Sequence, residues 1–170
     1  MSAGGLTASQ RAACNRTLLG ALLATVIMLF TGFAAAYLER MAARGWSRIA
    51  LPQILWLTTG LLLASSVTLE LARRRGLRIA LYLTLALGAL FLAGQFAAWL
   101  QLRADGVFLP TNPHASFFYL LTAVHGVHVL AGLAALVVAR ARPAVLGLCA
   151  AFWHLMGAVW VYVLFVLAVL

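Results

Sequence analysis

Apolar residues in this chain run on in five stretches that contain no Asp, Glu, Lys or Arg: about 17–38, 49–69, 79–102, 115–139 and 143–170. Each reaches the roughly 20 residues that carry a helix across the hydrocarbon core of a bilayer. The pattern predicts an all-α membrane protein, a five-transmembrane-helix bundle. Its connections are too short to hold a folded unit, so a single membrane domain over 1–170 is expected.

Helix punctuation coincides with the breaks. Pro52 is expected in the first turn of the second helix, where its missing N–H is harmless, and Gly76 interrupts an arginine cluster between the second and third helices. The connection 103–114 contains Asp105-Gly106 and Pro110-Thr111-Asn112-Pro113 and reads as an exposed, turn-rich loop. The first run has Arg11 and Arg16 ahead of it and Ala34, Ala35 and Ala36 near its end, as a secretory signal would. It exceeds the roughly 7–15 apolar residues of such a signal and four more runs follow, so it is read as a retained helix. No internal repeat is visible.

Close packing of helices in lipid depends on small residues, because lipid tails are as apolar as the bundle interior. Two four-residue ladders, Ala89/Ala93/Ala97 and Ala131/Ala135/Ala139, are the candidate interior stripes. Trp46, Trp56 and Trp99, near helix ends, fit interfacial anchors.

Composition agrees with the pattern: 65% of residues are hydrophobic and 9% charged, which excludes an ordinary soluble domain. The formal charge of +9 would suggest a nucleic-acid partner in a soluble protein. Here all twelve basic residues are arginines in the tail and connections. Eight of them (Arg11, Arg16, Arg73, Arg74, Arg75, Arg78, Arg140, Arg142) fall on one side and four (Arg40, Arg44, Arg48, Arg103) on the other. Membrane orientation accounts for this without nucleic acid, and it places the N terminus in the cytoplasm and the C terminus outside. Cys14, in the tail, and Cys149, just inside the last run, both fall on the cytoplasmic side, where a disulfide is not expected to persist. Neither forms a CxxC or CxxCH motif.

Candidate chemistry lies in the fourth and fifth runs. Thr122, His125, His128 and Gly132 share one broad helix face, and His154 lies in the fifth run on a face with Gly157 and Ala158. Histidine inside hydrocarbon needs a partner. The residues favour imidazoles hydrogen-bonded to hydroxyls, carbonyls or one another. A metal site is the sharper alternative, but no carboxylate or cysteine within the runs completes a ligand set. A b-type haem held by His125 and His154, the one plausible cross-helix pair, is another. His114 is expected at the interface and solvated, and Gln95 is expected to link helices. Glu39, Glu70 and Asp105 stand at the ends of runs, so a small proton-coupled transporter would have only histidines to use.

The segment SFFYLLTAVHGVHVLAG, 116–132, resembles the penultimate helix of subunit III of the haem-copper (cytochrome c) oxidases, and FWHLMGAVW, 152–160, resembles that family's final helix. MLFTGFAAAY (28–37), LPQILWLTTGLLLASSVTLELARRR (51–75) and LGALFLAGQFAAW (87–99) are similar to the preceding helices, in family order. Longer members have seven helices and this chain matches the last five, as in the short bacterial form. The two helices that enclose a lipid-filled cleft are without a counterpart. Val26 stands where many members carry a glutamate next to the position of Thr25, and Gly157 where they carry an aspartate.

The resemblance implies a non-redox accessory subunit of a bacterial haem-copper oxidase in the inner membrane. Its main contact would be subunit I, which holds the haems and copper, alongside subunit II and membrane lipids. This chain would hold no cofactor. It would stabilise subunit I and support sustained proton uptake and pumping during aerobic electron transport. Short accessory subunits of nitric oxide reductases share the five-helix outline and remain an alternative.

Overall fold

A computed structural model describes residues 7–42, 45–109 and 112–170. The described residues form five helices: α1 (Ala8–Met41), α2 (Ile54–Arg75), α3 (Arg78–Ala104), α4 (Pro113–Ala139) and α5 (Leu146–Val169), the last entered through a 3₁₀ turn at Pro143–Val145. All five are long and apolar enough to cross a membrane. No strand occurs among the described residues.

Several helices extend beyond the apolar runs because polar residues also cap and continue them. Thr7 and Gln10 form a reciprocal capping box that starts α1 well before residue 17, so Cys14 is an exposed helical residue rather than part of a tail. Glu70 and the three arginines continue α2 to Arg75, where Gly76 takes the left-handed conformation (φ 64°) that stops it. Pro52 precedes α2 instead of occupying its first turn: Gln53 is the N-cap, and the Pro52 carbonyl accepts the N–H of Leu55 at 3.1 Å. Asn112 caps α4 by accepting the N–H of Ala115 at 2.9 Å, with Pro113 in the first turn. The loop ahead of α4 is thereby shorter than 103–114; its Pro110 and Thr111 lie outside the described residues, as does Arg44.

The chain folds as a bundle with α5 at its centre, packed against α1, α2 and α4. The hairpin α2–α3 forms the closest helix pair, and α3 continues onto α4. Among the described helices, α1 touches α4 and α5, and its buried residues are Val26, Phe30, Ala34 and Tyr37.

The alanine ladders form the interior only in part: Ala139 is buried and Ala97 and Ala135 are half-buried. Ala89, Ala93 and Ala131 are exposed, and the buried line of α3 runs through Thr84, Gly88, Phe91, Gln95 and Ala98. Glycine provides the close approaches instead. A Cβ on Gly88 would meet Leu133 and Trp153 at 2.8 Å, and one on Gly94 would overlap Thr58 Cγ2.

Candidate functional site

Four helices meet at one side chain. Trp153 of α5 is fully buried and donates its indole N–H to Ser65 Oγ of α2 at 2.9 Å. Its ring lies against Gly88 of α3 and Gly132 of α4, where a Cβ would come within 2.8 and 3.1 Å of it. Only glycine leaves room for an indole at both places.

The hydrogen bond to Ser65 belongs to a repeated device. A Ser or Thr hydroxyl in a helix can donate its proton to the carbonyl one turn back, and this leaves its lone pair free to accept from a neighbouring helix. Ser65 donates to Leu62 and accepts from Trp153. Thr59 donates to Leu55 and accepts the Trp160 indole at 2.8 Å. Thr58 donates to Leu55 and accepts the Gln95 amide at 3.1 Å, tying α2 to α3. Thr122 donates to Phe118 and accepts the Trp99 indole at 2.9 Å, tying α3 to α4. Trp99 therefore faces inward as a fastener and not outward as an interfacial anchor, whereas Trp56 is 61% exposed.

His125 shares this core but not its hydrogen bonds. Its ring is completely buried among Phe91, Phe30 and Trp160, with centroids 5.7, 6.1 and 5.1 Å away. Neither ring nitrogen has a hydrogen-bond partner among the described residues, contrary to the expectation of hydroxyl or carbonyl partners. Aromatic rings take their place: the Phe rings meet the imidazole edge to face, an arrangement in which a polar N–H gains weak π contact. His128, one turn along and half-buried, donates from Nδ1 to its own helix at the Val124 carbonyl (2.7 Å) and lies against Phe30.

His154 does not join His125. It is exposed on α5, with Nε2 3.8 Å from a Glu70 carboxylate oxygen of α2, and Glu70 is already gripped by Arg73 (2.8 and 2.5 Å) and Arg74. His125 instead meets α5 at Trp160. The cross-helix pair required by a two-histidine haem is thus not formed, and the described residues contain no group of three or more His, Cys, Asp or Glu placed to hold a metal.

His114 is the histidine that sequence reasoning misplaced. It is buried, not solvated, and it fastens three parts of the chain. Nδ1 accepts the Ile49 N–H at 3.1 Å, and Nε2 meets the Leu167 carbonyl at 3.2 Å. An N–H donor on Nδ1 requires that nitrogen to be bare, so the imidazole is the Nε2–H tautomer and donates to Leu167. Trp46 and Tyr37 close over it, with ring centroids 5.3 and 5.9 Å away. Its contacts come from the connection before α2 and the end of α5, so nothing in the local sequence announces them. Beside them, the Arg48 guanidinium donates to the Leu170 carbonyl at 2.6 Å.

The arrangement as a whole joins helices. The histidine motifs lie in the same core as the tryptophan–hydroxyl fasteners, and the signal for these fasteners was the Thr-Thr and Ser-Ser pairs of α2.

No family model matches the chain. Curated relatives do. The "probable cytochrome c oxidase subunit 3" of Nocardia farcinica is 31% identical over 166 residues, covering 82% of this chain and 79% of that one. The cytochrome c oxidase subunit 3 of Corynebacterium diphtheriae is 30% identical, covering 79% of this chain and 78% of its own. That of Synechocystis is 32% identical, covering 84% of this chain and 69% of its own.

Proposed function

Because the chain belongs to the cytochrome c oxidase subunit III family, we propose that it is the non-redox accessory subunit of a bacterial haem-copper terminal oxidase, and that it acts by stabilising the catalytic subunit. It is a multi-pass membrane protein. In this reading it sits in the inner membrane with its N terminus in the cytoplasm, and its partners are subunit I, which carries the haems and copper, and subunit II. The eight-to-four division of arginines supports the orientation.

One observation carries the reading. Side chains within the motif segments, Trp153 and Trp160 on α5 and Thr58, Thr59 and Ser65 on α2, are used up in helix-to-helix hydrogen bonds. Such a core gives a preformed, rigid surface against which a larger subunit can pack. The acidic residues lie outside it: Glu39 and Asp105 are exposed at helix ends, and Glu70 is bound by arginines. Support for proton uptake and pumping therefore passes through the partner, not through a relay in this bundle.

Purification from native membranes in mild detergent tests the assignment. A tagged chain should bring down subunits I and II with their haem spectrum. Recovery with a nitric oxide reductase, or with no haem protein, would overturn it.

A further inference from the structure

We propose that the lateral groove between α3 and α4 is the seat of a transmembrane helix from the partner subunit, and that this helix supplies a hydrogen-bond donor to Gln95. The inference rests on the oxidase-subunit reading and names the surface it uses.

The groove is apolar and open to the side of the bundle, with a volume of about 300 Å³. Phe96, Val127 and Leu130 stand on its walls and are each at least 60% exposed. Gly126 leaves a gap along it: the nearest atom to an added Cβ there is Leu92 Cδ2 at 3.9 Å, so the helix surface is notched without being filled from within. A notch of this kind between exposed apolar side chains admits a knob from another helix.

Gln95 also lines the groove, is only 5% exposed, and its Oε1 has no hydrogen-bond partner. Thr58 donates to the Leu55 carbonyl and accepts the amide nitrogen of Gln95, which leaves the Gln95 oxygen over. The other polar side chains beside it are taken, since Trp99 donates to Thr122 and Thr122 to Phe118. The site lacks one donor and holds no spare one.

An unpaired carbonyl oxygen within the hydrocarbon region carries a desolvation cost that a lipid tail cannot relieve, because an acyl chain offers no N–H or O–H. A helix bearing Ser, Thr, Tyr, Trp or an amide side chain does.

The test places a photoreactive benzoylphenylalanine at Val127 in the intact complex in native membranes. A cross-link to a transmembrane peptide of a partner subunit is expected. Cross-links to lipid alone would overturn the proposal. A second arm fills the notch: Gly126→Leu should lower partner recovered per chain by about ten-fold, whereas Gly20→Leu on α1, also with nothing near its added side chain, should leave it unchanged. Equal recovery in both variants would refute the α3–α4 seat while the oxidase assignment stood. Failure of the unmodified chain to recover an oxidase would instead sink the underlying assignment.

Discussion

The indole N–H of Trp153 on α5 points at the hydroxyl of Ser65 on the neighbouring α2, 88 residues away in sequence and 2.9 Å away in space. Ser65→Ala leaves this buried donor without an acceptor. The expected loss is about 0.6–2 kcal/mol of bundle stability, between the mean for hydrogen bonds in membrane bundles and the cost of an orphaned buried group. Trp153→Phe should cost measurably less in the Ser65→Ala background than alone, and a denaturant double-mutant cycle reads that coupling. Strict additivity would mean that the bond contributes nothing.

The α2–α3 contact predicts a rescue. Gly94→Ala drives a methyl into Thr58 Cγ2, and an overpacked contact of this kind costs about 1–3 kcal/mol. Thr58→Ser deletes that methyl, leaves Cβ at 3.6 Å and keeps the hydroxyl that accepts from Gln95. The double variant should therefore recover most of the stability lost by Gly94→Ala, as measured by thermal denaturation in detergent.

His114 should be visible as a bare Nδ1. In a ¹⁵N spectrum of the protein in lipid, one histidine should show an unprotonated Nδ1 together with a protonated Nε2, and His114→Phe should remove that signal. The same substitution strips the acceptor from Ile49 and the donor from Leu167, so it should lower stability by about 1–3 kcal/mol although ring volume is kept.

His125→Phe should behave in the opposite way. The imidazole has no hydrogen bond to lose, and its aromatic neighbours accept another ring. Stability within about 1 kcal/mol of the parent, or above it, is expected. A loss as large as that of His114→Phe would reveal a partner for the ring that the packing does not account for.

These four sites show what apolar patterning conveys. It reports which residues meet lipid, and the five helices were legible because each run is long enough to span. It does not report how far a helix continues into water, so the capping box at Thr7 was invisible as helix, and the charged end of α2 was legible only through the resemblance of 51–75. Nor does it fix rotation about the helix axis, since an alanine facing lipid looks like one facing a neighbour. Ala89 and Ala93 were expected inside and lie outside, while Gly88 and Gly94 make the contacts. The motif histidines were easy to single out in an apolar run, but their environments were not. His125 is ringed by aromatics from three other helices, His154 faces an acid three helices away in the chain order, and His114 is bound by groups 65 and 53 residues away.

The central claim is that this subunit supports a catalytic partner without supplying its cofactors. The most direct measurement is to delete the chain and follow the partner oxidase over many turnovers in native membranes, recording the haem spectrum and subunit I content alongside. The account predicts an intact spectrum and near-normal initial electron transfer, followed by a faster loss of activity, complex stability or proton stoichiometry. A haem spectrum lost while subunit I remained at its normal level, or activity and stability unchanged throughout, would contradict it.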